Sequence, residues 1–257
     1  MTDSMTDSVS NLQKALETAP MQDEQTTLAN SWLLGLDTET TGVNAGKDAI
    51  VSACLVLRNP ALGFEGDCVG EWVVNPHRRI SAGASKVNGF TNEFLSEHGQ
   101  EPTQAIGEIA SIVAQAQAKR IPLLAYNAPF DVEMLNGDIE RWCADSMEPF
   151  DTANMLVVDP LVIDRAISNR RGRRSLQYTT EYYGVVAHGN FHNATADTIA
   201  AVDLIKPMTT LYPQVAHIEL GSLMDWQREA HAAWSKSYQE WAQANGKTRR
   251  QLSTHWL

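Results

Sequence analysis

Long hydrophobic runs, paired cysteines and an excess of positive charge are all missing from this chain of 257 residues. No apolar stretch approaches the roughly 20 residues that a bilayer-spanning helix requires, and the polar, acidic N-terminus lacks the charged-then-apolar layout of a signal peptide. A cytoplasmic protein with no membrane role is expected. The three cysteines, Cys54, Cys68 and Cys143, form no CxxC pair, which argues against a disulfide framework or a zinc knuckle and predicts buried free thiols. Twenty Lys and Arg against 31 Asp and Glu leave a net charge of −11, which argues against a protein that coats nucleic acid by releasing counterions. An enzyme gripping a few nucleotides through metal ions survives that test. A hydrophobic content of 43% and an aromatic content of 7% are ordinary for a globular chain, and the length suits one α/β domain with appendages.

The stretch that organises the rest is Leu33 to Gly42, LLGLDTETTG. Leu33, Leu34 and Leu36 have the composition of a buried strand, and period two places Asp37 and Glu39 on one side of it. Two like charges at the end of a buried strand lose hydration and repel, so a cation or several donors must compensate them. An isolated Asp here would read as a turn former. Thr40, Thr41 and Gly42 are small enough to turn the chain and admit a substrate.

Residues 1–30 read as a polar, flexible tail in which MTDS is repeated at once, leaving Met1, Met5 or Met21 as starts and a turn or two of helix over Leu12–Thr18. Strands are predicted at Ala49–Leu57, Val69–Val74, Ile121–Tyr126 and near Phe150–Val157. Helices are predicted at Thr103–Ala118 with a Thr cap, Pro129–Trp142, Ser175–Tyr183 ended by Gly184, and Thr195–Leu211 with a kink at Pro207. The strand–helix alternation after residue 100 is that of parallel crossovers. A helical extension over 213–246 carries Leu220, Leu223, Trp226, Ala230, Trp234, Tyr238 and Trp241 at helical spacing, and 247–257 reads as a second tail. Arg165, Arg170, Arg171, Arg173 and Arg174 form the one basic patch dense enough to hold phosphates.

Two further pieces join Asp37 and Glu39. Asp131 falls in the first turn of the helix opened by Pro129, just past a strand end, where open α/β sheets bind ligands. Alone it would be a helix-capping charge. Asp197 follows in a helix rich in alanine, and His192 lies five residues before it in the feeding loop; beside these carboxylates the histidine reads as a catalyst rather than a surface residue.

DTET, NAPFD and H-x-x-x-x-D, in this order, resemble the three motifs of the DnaQ-like (DEDDh) 3′-to-5′ exonucleases over roughly Leu33 to Leu211. Arg173-Arg174-Ser175-Leu176 is similar to the basic-Ser-Leu opening of a helix in that family, and Asp151-Thr152 falls where it often has an acidic residue at a strand end. Val87-Asn88-Gly89 departs from the pattern, since many members have His before the Gly. Asn193 stands where the sister class has Tyr.

The resemblance implies an α/β, ribonuclease-H-like fold: a mixed five-stranded sheet flanked by helices, with exonuclease domain 31–212. It implies two divalent ions, Mg2+ or Mn2+, on Asp37, Glu39, Asp131 and Asp197, with His192 as general base. Oxygen-only ligands suit such hard cations independently. Thr40, Thr41, Asn127, Asn88, Arg173 and Arg174 are the expected substrate contacts. Glu133, Asp138, Asp145, Asp164 and Asp203 read as surface or structural acids. The expected substrate is the 3′ end of single-stranded DNA, with RNA trimming or a non-enzymatic module of a replication complex as rivals. A DNA polymerase is an expected partner, and Gln251-Leu252-Ser253 is similar to the start of a sliding-clamp-binding peptide.

Overall fold

The architecture is that of a computed structural model describing residues 2–186, 189, 193–247 and 252–257, with the side chains of 2–6 left out. Its sheet runs β3-β2-β1-β4-β5, built from β1 (Leu33–Thr40), β2 (Ile50–Arg58), β3 (Cys68–Val73), β4 (Leu123–Leu124) and β5 (Val157–Val158). The first three strands pair antiparallel, while β4 and β5 join parallel to β1. Helices cover both faces: α1 (Thr2–Thr18), α2 (Ala82–Asn88), α3 (Asn92–His98), α4 (Pro102–Ala118), α5 (Pro129–Trp142), α6 (Pro160–Ile167), α7 (Leu176–Tyr183), α8 (Ala194–Asp203), α9 (Ile205–Leu211), α10 (Pro213–Ala216) and α11 (Leu220–Ala244). Among the described residues no helix is long and apolar enough to cross a membrane. Cys54 and Cys143 are buried and Cys68 half-buried, and all three are free thiols.

The central strand sorts its residues by period two. Leu34 and Leu36 enter the large core with Ile106, Ile109, Val132 and Leu135 of α4 and α5. Gly35 lies on the opposite face beneath α8, where a Cβ would sit 2.6 Å from Val202 and 2.8 Å from Thr198. Only a residue without a side chain lets α8 pack this closely.

Two segments expected to be tails are folded. Val9, Leu12 and Leu16 of α1, with Ala19 just past its end, recur at three- and four-residue spacing and are buried in the main core. The Lys119 ammonium donates to the carbonyls of Leu16, Glu17 and Ala19 at 2.8, 2.6 and 2.7 Å, closing the negative end of that helix. At the other end of the chain, Trp256 and Leu257 are also buried in the main core. Ser253 O accepts from Ser235 Oγ at 2.9 Å, so the segment lies along α11; Gln251, which opens the clamp-like motif, lies outside the described residues.

Smaller departures have local causes. Asp151 makes a turn, accepting from the Ala153 amide at 3.1 Å and Asn154 Nδ2 at 2.6 Å, so the fifth strand shrinks from the expected 150–157 to Val157–Val158. The helix expected over 195–211 divides at Leu204 into α8 and α9, since Pro207 cannot donate to the carbonyl of residue 203. Pro102 opens α4, displacing the expected Thr103 cap. The aromatic face of α11 is only partly covered: Leu220 and Leu223 are buried, whereas Tyr238 and Trp241 are exposed.

Candidate active site

Three elements converge at the C-terminal end of β1. The strand supplies Asp37 and Glu39, the first turn of α5 supplies Asp131, and the first turn of α8 supplies Asp197. Carboxylate oxygens of Asp37, Glu39 and Asp197 all lie within 4.8 Å of one another. Asp131 is held against them from the other side of the strand, its Oδ1 accepting from the Thr38 amide at 3.0 Å and from Thr38 Oγ1 at 2.7 Å. Asp37 and Glu39 remain half-buried, while Asp131 and Asp197 are buried.

The electrostatics follow from that crowding. Burial, then the charges of Asp131, Asp197 and Glu39, hold the Asp37 carboxyl well above its ordinary range. Burial, then Asp197, raises Glu39 to about 7. Burial raises Asp131 to about 7 against the opposing hydrogen bonds from Thr38. Asp37, Glu39 and Asp131 are thus all held toward their protonated forms by burial and by the charge of neighbouring acids.

A family model described as an exonuclease, RNase_T, matches residues 34–205, which spans all four carboxylates. This chain belongs to the DnaQ-like exonuclease family. It is 26% identical over 195 residues to DNA polymerase III subunit epsilon of Buchnera aphidicola subsp. Baizongia pistaciae, covering 73% of this chain and 74% of that one. It is 29% identical over 169 residues to a DNA polymerase III subunit epsilon-like protein of Rhodobacter capsulatus, covering 65% of this chain but 22% of the relative. The fold is similar to that of E. coli exonuclease I solved in complex with a dA16 oligonucleotide, with a TM-score of 0.60 at 20% identity. That match covers 72% of this chain and 42% of exonuclease I, so the chain spans under half of that enzyme's length.

The other expected site residues divide. Asn88 lies beside the carboxylate cluster, donating to Thr40 O at 3.2 Å, at the end of α2 where Gly89 turns with φ +78°. Thr40 Oγ1 donates to Gly42 O at 2.6 Å. Thr41 is a structural residue of the same loop, donating to Asp48 Oδ1 at 3.0 Å and accepting from the Ala49 amide at 3.1 Å. Asn127 adopts φ +69° at the start of α5. Arg174 is taken up by Asp164, Ser168 and the Arg170 carbonyl, which leaves Arg173 as the exposed member of that pair. His192 lies outside the described residues. Its neighbour Asn193 caps α8, accepting from the Ala196 amide at 3.1 Å.

The acid expected at Asp151 is found instead at Asp159. This buried carboxylate accepts from the amides of Asn127 at 3.0 Å and Ala128 at 3.1 Å, and so fixes the start of the helix that carries Asp131. It also caps α6 through the Leu161 amide at 2.9 Å and accepts from Trp256 Nε1 at 3.3 Å. The signal was present in the sequence as Val-Val-Asp-Pro, a capping carboxylate followed by Pro at the first helical position. Asp138 and Asp164 are structural as expected: the first accepts from the Ile50 amide at 2.8 Å, and the second binds Arg170 at 2.9 Å.

Proposed function

We propose that this exonuclease removes nucleoside 5′-monophosphates from the 3′ end of single-stranded DNA, using divalent cations held by Asp37, Glu39, Asp131 and Asp197. The observation that carries the reading is the packing of three carboxylates within 4.8 Å, two of which, Asp37 and Glu39, are raised above their ordinary range first by burial and then by their acidic neighbours. Such an all-oxygen donor set fits Mg2+ or Mn2+. Two such ions, when bound, supply the Lewis acidity that neutralises charge on the attacking and leaving oxygens of a phosphodiester.

The chain's own groups do the rest. His192 stands one residue before the cap of α8, five before Asp197, and accepts a proton from the attacking water as general base. Thr38 fixes the Asp131 carboxylate beside β1 through its amide and its hydroxyl. Asn88 and the backbone at Thr40 seat the terminal nucleotide, and Arg173 meets a phosphate upstream of it.

DNA is preferred over RNA because relatives over two-thirds of the chain are DNA polymerase III subunits, and those names also support a polymerase as partner. The RNA-trimming reading uses the same residues. The deciding experiment digests 3′- and 5′-labelled DNA and RNA strands with magnesium, manganese or EDTA. Release of 5′-monophosphates from the 3′ end, lost in EDTA and in Asp37→Asn, is expected. Products carrying a 3′-phosphate, or full activity in EDTA, refute it.

A further inference from the structure

Beside the start of α5 runs a groove of about 620 Å³, lined on one side by Asn127 and Pro129 and on the other by Arg165, Trp234 and segment 252–257. It opens from the same helix terminus that presents Asp131. Its chemistry differs from that of the carboxylate cluster. The Arg165 guanidinium stacks 3.5 Å above the Trp234 ring. Among the described residues Arg165 makes no ion pair, and its buried Nε has no hydrogen-bond partner. The acids close enough to act on it are Asp159 and Asp164, and both are engaged, the first by backbone amides and the second by Arg170 and Arg174. Glu133 is the acid on the groove wall.

From Trp234 an aromatic ladder continues along one face of α11. Ring centroids step 5.8 Å from His231 to Trp234, 5.7 Å on to Tyr238 and 5.6 Å on to Trp241. Tyr238 and Trp241 are 42% and 47% exposed, and Lys247 Nζ sits 4.7 Å over the last ring. A face that only completes the core would bury such rings. In a chain of net charge −11, placing cations against the ladder at both ends selects an anionic, flat-faced ligand.

Resting on the exonuclease reading, we infer that this groove and ladder form a track for single-stranded nucleic acid, in which Arg165 contacts a phosphate and the α11 rings stack on bases upstream of the 3′ end entering the site. Aromatic platforms combined with a cationic groove bind single strands without sequence preference. The track explains why segment 252–257 is packed against α11: it forms the groove's outer wall.

The test measures anisotropy of fluorescein-labelled thymidine strands of four and sixteen nucleotides binding to the full chain with calcium. The wild type should bind the longer strand about tenfold tighter, by engaging the ladder. Arg165→Gln and, separately, the exposed pair Tyr238→Ala with Trp241→Ala should each cut that preference by about fivefold or more. Arg165→Gln should also lower the slope of log affinity against log salt by about 0.7, which a structural defect would not do. The paired variant removes no buried side chain, so its folding is secure.

Retention of the wild-type preference in these variants, or no preference in the wild type, overturns the track and assigns the ladder to a protein partner. A chain that shows the preference yet hydrolyses neither strand with magnesium or manganese refutes the exonuclease reading alone. One that hydrolyses both without a preference refutes the track alone.

Discussion

Replacing Gly35 by alanine should damage the carboxylate cluster without touching any of its members. The new methyl would lie 2.6 Å from Val202 Cγ2 and 2.8 Å from Thr198 Cγ2, both on α8. Carbon atoms make favourable contact at about 3.5–4.0 Å, so α8 must retreat by about 1 Å. Overpacking of this kind costs about 1–3 kcal/mol, which for a domain of this size lowers the melting temperature by about 3–10 °C. The functional cost is larger in proportion, because α8 carries Asp197. A misplacement of about 1 Å at a reacting centre costs about a hundredfold in rate. Three measurements check this on one protein: a thermal melt, kcat on a 3′-labelled single strand, and manganese binding by calorimetry. Combining Gly35→Ala with Val202→Ala and Thr198→Ser removes both obstructing methyl groups and should restore most of the rate. A single variant whose kcat stays within twofold of wild type, or a loss the triple variant fails to recover, refutes the reasoning.

Other consequences concern the supports of the site. In EDTA, stability should fall as pH rises from about 5 to above 7, because Glu39 and Asp131 are raised in the folded state to about 7; the protonated folded form is favoured below that window and lost through it. Melting temperatures across that range check the sign, and added manganese should flatten the fall. Asp159→Asn leaves one acceptor oxygen where the carboxylate serves four donors, and should cost about 2–4 kcal/mol in urea unfolding, with reduced exonuclease activity through Asp131. Lys119→Met strips the donor from three carbonyls at the end of α1 and should cost about 1–3 kcal/mol, with loss of hydrogen-exchange protection over Leu12–Ala19.

What could be read in advance was what local chemistry dictates. Period two in LLGLDTE placed both carboxylates on one side of a strand, and Pro129 at the first helical position fixed α5 at Pro129–Trp142 as expected. The N-terminal helix was expected only over Leu12–Thr18, because most of its residues are polar and its stripe of Val9, Leu12, Leu16 and Ala19 is narrow; its burial depends on Gly70 of β3, whose missing side chain admits Leu12, a contact no local pattern reveals. Asp159 was hidden by the better-looking Asp-Thr pair eight residues earlier. The distinction between them is tertiary, since only Asp159 faces the start of α5. Arg174 seemed available for phosphate for the same reason: its engagement by Asp164 is set by the loop between α6 and α7, not by the run of arginines.

The bolt that fixes β5 and the start of α5 comes from the far end of the sequence. Gln227 of α11 accepts from the Asp159 amide at 2.8 Å and donates to Val157 O at 2.7 Å, and Trp256 reaches the same aspartate. A chain growing from its N-terminus therefore holds Asp37 and Glu39 long before Asp197 emerges, and longer still before Gln227 and Trp256 do. On a ribosome, the carboxylate cluster cannot close until Asp197 has left the exit tunnel, and the start of α5 is bolted last of all.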